Sequence, residues 1–305
     1  MNSLQFAAID IGSNAVRLLI MSIVPGNAEE SFDKTLMIRV PLRLGQESFV
    51  DGKISDSKAK NLIRLMKAFK HLLKVYDVSD YRVCATAAMR EATNSKELVK
   101  QIKKETDLKV EIIDGHEEAM IIYESHFYYN LNEHQNYVFV DVGGGSTEIS
   151  LLVNGELSQS KSYKIGTVRL LNDKVESGEY DMLHRDLQEL KEQYQISDII
   201  ASGGNIIKLN ALAKTRTGRK FPLTALEAIT AELKQYNVDE LIEKYKLKPD
   251  RADVIVPAAN TYIDVAQSVG AKNFIVPKIG LIDGIIHMLY VKWKEKKGKK
   301  PDSLD

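Results

Sequence analysis

The sequence predicts an α/β protein made of two similar domains, and three observations carry that expectation. At 305 residues the chain is long enough for two cores of ordinary size. Along it, short β-branched apolar runs alternate with stretches whose apolar residues recur at three-and-four spacing. The layout of the opening, "FAAIDIGSNAVRLLI", then returns as "YVFVDVGGGSTEISLLV": an apolar strand, an aspartate, a glycine-containing turn with a serine, and a second apolar strand. Repeats this long mean paired domains rather than a solenoid. We place them at residues 1–124 and 125–305, with the last helix free to pack back on the first domain.

In chain order, "FAAIDI" and "VRLLIMSI" read as a hairpin joined by the polar turn "GSNA". From Ser55 to Tyr76 the positions Leu62, Leu65, Met66, Phe69, Leu72, Leu73 and Tyr76 mark one amphipathic helix. The strand "YRVCATAA" follows, with Cys84 as core filler, and then a helix opened by Asn94 with Glu97 as its capping-box partner. "KVEII" is a strand, and a helix begins near His116. In the second half, a strand around "SYKIG" comes after the repeated hairpin. A helix over Tyr180 to Tyr194, the strand "DIIAS" and helices from Asn205 and Thr224 come next. A helix from Ala252 to Val269, the strand "NFIVP" and a final helix from Leu281 complete the chain.

Composition narrows the function. The 42 basic and 42 acidic residues balance, which removes the cationic field of a nonspecific DNA binder, so any polyanion must be met by a local basic groove. A single cysteine excludes an internal disulfide and a cysteine-rich metal site. The start lacks a basic segment followed by a long apolar one, and no stretch reaches membrane-span length, so the cytoplasm is the expected compartment and no membrane partner is expected. His116, His126 and His287 lack metal-ligand spacing. The lysine-rich ending "KWKEKKGKKPDSLD" reads as a solvated tail, with a grip on a polyanion as the alternative.

The glycine turns carry the chemistry. Successive glycines let several N–H groups converge on one anion. Gly143, Gly144 and Gly145 suit an approaching phosphate, Ser146 and Thr147 add hydroxyls, and Asp141 favours a divalent cation bridging to that phosphate. Asp10, Gly12 and Ser13 echo the pattern. A third glycine site, "ASGGN", opens a helix, with Asn205 either its N-cap or part of a phosphate site. In "DGHEEAMIIYE", Asp114 and Glu117 have capping-box spacing. Glu118 lacks that role; on residues alone it reads as a surface glutamate, or as a general base if it faces the turns. Arg90 and Arg17 are phosphate clamps or exposed loop arginines.

Together "AAIDIGSNAVRLLI", "ATAAMREATN", "GHEEA", "VFVDVGGGSTEIS", "IGTVRL", "ASGGN" and "RADVIVPA" resemble the exopolyphosphatase and guanosine pentaphosphate phosphohydrolase family over essentially the whole chain. The resemblance implies two duplicated ribonuclease H-like domains of the actin, sugar kinase and heat-shock chaperone superfamily, with a ligand cleft between them. It implies Mg²⁺-dependent release of orthophosphate from inorganic polyphosphate or pppGpp, and a homodimer is among the assemblies it allows. Within it, Glu118 matches the base for the attacking water, and Asp141, with Asp10 and Glu148, the magnesium-associated carboxylates. Gly143, Gly144, Gly145 and Ser146 match the second phosphate loop, Ser13, Asn14 and Arg17 the first, and Arg90 a phosphate-chain arginine. Ile282 stands where relatives often carry arginine, and Asp114 where serine is common. Longer relatives append a helical domain for which the chain, ending at 305, has no room. A nucleotide-dependent kinase and a phosphate or alarmone sensor without turnover are the competing readings.

Overall fold

The computed structural model describes residues 3–24, 31–124, 132, 134–214 and 220–298. His126 and the tail beyond 298 lie outside the described residues, and the boundary expected after 124 abuts them. The chain divides into two compact units, one of Met1–Asp114, Met120–Phe127 and Gly280–Asp305, the other of Gly115–Ala119 and Tyr128–Ile279. No helix among the described residues is long and apolar enough to cross a membrane.

In the first unit, β1 (Leu4–Ile11), β2 (Val16–Val24) and β3 (Ser31–Val40) form a meander, followed by α1 (Leu44–Asp51) and α2 (Asp56–Val75). Then come β4 (Asp80–Ala85), α3 (Ala87–Glu91), α4 (Ser95–Thr106) and β5 (Val110–Ile112). The sheet order is β3-β2-β1-β4-β5, with β4 and β5 parallel to β1. β1 is buried from Phe6 to Ile11, Asp10 included, as in a strand covered on both faces. By contrast β3 is an edge strand carrying Asp33, Lys34 and Arg39, charges that discourage pairing with another chain. α2 buries Leu62, Ile63, Met66, Phe69 and Leu73, and the Ser55 side chain accepts from the Lys58 amide at its start. Its stripe joins Ile9, Leu18 and Val83 in one core.

α5 (Gly115–Tyr123) leads to the second meander, β6 (Asn136–Val142), β7 (Thr147–Val153) and β8 (Glu156–Tyr163). Beyond it lie α6 (Thr167–Leu171), α7 (Glu179–Gln193), β9 (Ile196–Ser202), α8 (Gly204–Leu212), β10 (Lys220–Pro222), α9 (Leu223–Leu233) and α10 (Val238–Tyr245). α11 (Pro249–Ala252), α12 (Ile255–Val269) and β11 (Asn273–Ile275) finish the second unit. Its sheet order is β10-β11-β9-β6-β7-β8, so β8-β7-β6-β9 repeats β3-β2-β1-β4. Val140, Leu151, Leu187, Ile199, Tyr262 and Phe274 share its core. α13 (Leu281–Gly298) belongs to the first unit, where Tyr290 meets Phe6 and Phe32 edge-on.

Four expectations are corrected. β4 stops at Ala85, and the following "AAMRE" coils into α3, which small, helix-favouring alanines permit. Asn94 makes no side-chain cap on α4: its amide instead brackets Ile54, accepting from that backbone N–H and donating to its carbonyl. Gly203, not Asn205, occupies the cap position of α8. The helix expected from Ala252 begins at Ile255, after the separate turn α11.

Candidate active site

The hairpin turns of the two units share one backbone. Asp10 and Asp141 sit at equivalent positions near the ends of β1 and β6, and the following Gly12 and Gly143 each donate their N–H across the turn, to Ala15 O (3.2 Å) and Ser146 O (2.9 Å). Position by position, then, Ser146 matches Ala15, and Ser13 matches Gly144. The serines that sequence reading treated as counterparts occupy different corners of the same turn.

In the second unit the turn's carbonyls are all taken from one side. Thr167 N donates to Gly143 O (3.0 Å), Val168 N to Gly144 O (2.8 Å) and Arg169 Nε to Gly145 O (2.7 Å). These donors stand at the start of α6, whose first N–H groups have no intrahelical partner. The backbone approach requires glycine: a Cβ on Gly166 would lie 2.4 Å from Gly144 O and the Gly145 backbone. The amides of Gly144, Gly145 and Ser146 make no hydrogen bond among the described residues. With carbonyls fixed on one side, three consecutive donors remain for an anion. The first unit uses the same device more sparingly, with Gly45 N on Ser13 O and Arg43 N on Asn14 O, both 2.9 Å.

Charge separates the two turns. In the first, Asp10 faces Arg17 across the β1–β2 register, and Arg17 Nη1 donates to its Oδ2 at 2.8 Å. In the second, the same register places Asp141 opposite Glu148. Like charges directly opposite on an antiparallel pair are destabilising unless something compensates them. Part of the compensation is visible: Glu148, only 2% exposed, accepts Ser146 Oγ (2.6 Å) and Ser162 Oγ (2.9 Å) on Oε1. Because Ser146 spends its proton on Glu148, its oxygen presents lone pairs to any ligand.

Glu118 is buried at 9% exposure, which overturns the surface reading drawn from its residue type. It lies in the first turn of α5, in the part of that helix that belongs to the second unit. Gly115 sets the helix start against β8, since a Cβ there would fall 2.4 Å from Ser162 Cβ. Ser162 therefore touches both the helix that carries Glu118 and Glu148. In the first unit Arg90 is half-buried, with Nη1 donating to Ile113 O at 2.7 Å, so its guanidinium is anchored at the end of β5. Ser13 is buried and Asn14 half-buried.

Among the described residues no group of three or more His, Cys, Asp or Glu side chains is placed to cage a metal ion. Magnesium does not require one, because it commonly takes one or two carboxylates and completes its octahedron with water and substrate phosphate. The Asp141–Glu148 pair, with Ser146 Oγ beside it, fits that mode. Sequence reading missed Ser162, Gly166 and Arg169; the "SYKIGTVRL" stretch holds all three, and its glycine between a strand and a short helix was the available signal.

The chain is also similar to known proteins. The model of the Ppx/GppA phosphatase family matches residues 20–292. A bifunctional 3-dehydroquinate synthase/phosphatase of Fusobacterium nucleatum is 25% identical over 301 residues, 90% of this chain and 45% of its own. A guanosine-5'-triphosphate,3'-diphosphate pyrophosphatase of Aeromonas hydrophila is 32% identical over 181 residues, 58% of this chain and 35% of its own. Exopolyphosphatase 1 of Mycobacterium tuberculosis is 26% identical over 170 residues, 56% of this chain and 48% of its own. The chain thus spans less than half the length of these curated relatives. Among solved structures, a Ppx/GppA family member from Aquifex aeolicus superposes with a TM-score of 0.77 at 24% identity, covering 96% of this chain and 99% of that one. An exopolyphosphatase from Cytophaga hutchinsonii gives 0.82 at 22% identity, covering 95% and 98%. At these identities the structural likeness is one of fold.

Proposed function

The chain belongs to the Ppx/GppA phosphatase family, and on that premise we propose that it releases orthophosphate from the end of inorganic polyphosphate by water attack on the terminal phosphoanhydride. The observation that carries this reading is the second unit's turn, with three amides left for an anion beside a facing pair of carboxylates. In the proposed reaction, the amides of Gly144, Gly145 and Ser146 hold phosphate oxygens, while Glu118 orients a water molecule and accepts its proton. Arg17, held by Asp10, and Arg90, held by Ile113 O, offer guanidinium groups to phosphate. Asp141 and Glu148 would hold Mg²⁺, which supplies charge neutralisation at the transferring phosphoryl group. Hydrolysis of this kind rests mainly on positioning and electrostatics.

A second substrate, pppGpp, is favoured by the 32% identity to the Aeromonas pyrophosphatase. It ends in the same anhydride, so a cradle for terminal phosphate serves both. One assay separates the readings: phosphate release from long polyphosphate, tripolyphosphate and pppGpp under magnesium, with and without ADP. We expect ADP-independent release. Release only with ADP and a hydroxyl acceptor would indicate a kinase, and tight binding without release a sensor. Glu118→Gln is expected to retain substrate binding and lose about 10²- to 10⁴-fold in turnover; unchanged turnover would remove Glu118 from this role.

A further inference from the structure

The two units close the ends of their central strands differently. In the first, β1 and β4 stay paired through Ile11↔Ala85, and Thr86 N then donates to Ile11 O at 3.2 Å. In the second, pairing of β6 with β9 ends one step earlier, at Asp141↔Ser202. The step that would match Ile11↔Ala85, between Val142 and Gly203, is missing from the register. A side chain stands there instead. Tyr262 of α12 is fully buried, and its hydroxyl accepts from Val142 N (3.3 Å) and donates to Ser202 O (2.5 Å). One phenol thus bridges the last residue before the Gly143–Ser146 turn and the last residue before the Gly203–Gly204 turn.

The space around this bridge is fully used. Gly203, at φ +111, holds a backbone conformation that a side chain would strain, and a Cβ there would crowd the Tyr262 oxygen at 3.0 Å and Asp141 Oδ1 at 3.1 Å. The hydroxyl, the Asp141 carboxylate and the second glycine turn therefore converge. The Tyr262 ring is packed edge-on against Phe274 at 6.3 Å, within the unit's core, so the oxygen is carried by a rigid support. Burial, and next the charge of Asp141, push the phenol's pKa well above its ordinary value, so it remains a donor throughout the working pH range.

We propose that Tyr262 is a positioning residue that sets the separation and orientation of the second unit's two glycine turns, and through them the placement of Asp141. Its structural part stands alone, whereas its catalytic consequence rests on the phosphohydrolase reading above. The test is Tyr262→Phe in the full chain, which keeps the ring and deletes only the bridge. Hydrogen exchange is expected to quicken at the hydrogen-bonded amides flanking both turns, Val142 and Gly143 at one and Ile207 at the other, by about 5- to 10-fold, the scale of one net hydrogen bond. Amides at Gly12–Ala15 and in α7 should keep their rates. In the phosphate-release assay KM for polyphosphate should rise by a similar factor, with a smaller change in kcat. Gly203→Ala, which crowds the bridge without removing it, should give the same exchange pattern. Quickening confined to one turn, or spread evenly over the second unit, would overturn the proposal. Quickening at both turns with no phosphate release from the wild type would keep the structural role and discard the hydrolase reading instead.

Discussion

The two hairpin turns have the same backbone and opposite electrostatics, and the difference shows what duplication leaves free to change. Each has an aspartate two residues before an N–H···O closure, and each has its carbonyls pinned from the start of the helix that follows the meander. At the position facing the aspartate, the first unit carries Arg17 and the second Glu148. The first turn is neutralised from within. In the second, two facing carboxylates favour a cation from outside. One register position thus separates a turn whose aspartate is paired with a guanidinium from one with two facing carboxylates, to which the proposed function assigns the cation.

This contrast can be broken in order of expected effect. Glu148→Gln, which retains acceptor oxygen for Ser146 and Ser162 while removing the second charge, should lower magnesium-supported turnover about 100-fold or more. Turnover equal to wild type at limiting magnesium would show that the facing charge is unimportant. Ser162→Ala deletes a hydrogen bond to Glu148 and loosens the seat of α5; the magnesium concentration for half-activation should rise at least about tenfold, as such supporting contacts usually require. A lowered rate with unchanged half-activation would place Ser162 in packing alone. Arg17→Ala leaves Asp10, 2% exposed, without its guanidinium and should cost about 1–3 kcal/mol by denaturant titration, with a raised KM and an unmoved magnesium response.

Much of this was legible in the sequence, because periodicity and glycine placement are local. The hairpins, the α2 stripe and both aspartates follow from residues that touch their near neighbours. β3 and α1 were not identified: an edge strand with charges on its open side lacks the apolar run that marks a buried strand. The Asn94 cap failed because its amide found a partner in Ile54, far along the chain. Glu118 was misjudged alone since burial is set by tertiary packing, which residue type does not reveal. Tyr262 was invisible for the same reason, bridging two strand ends that lie 120 and 60 residues before it in the chain.

In the proposed function the cation belongs to the second turn. Magnesium activation of phosphate release should be measured side by side for Asp141→Asn and Asp10→Asn. Half-activation is expected to move to higher magnesium, by about tenfold or more, only for Asp141→Asn. An equal shift in both, or a shift in Asp10→Asn alone, would contradict it.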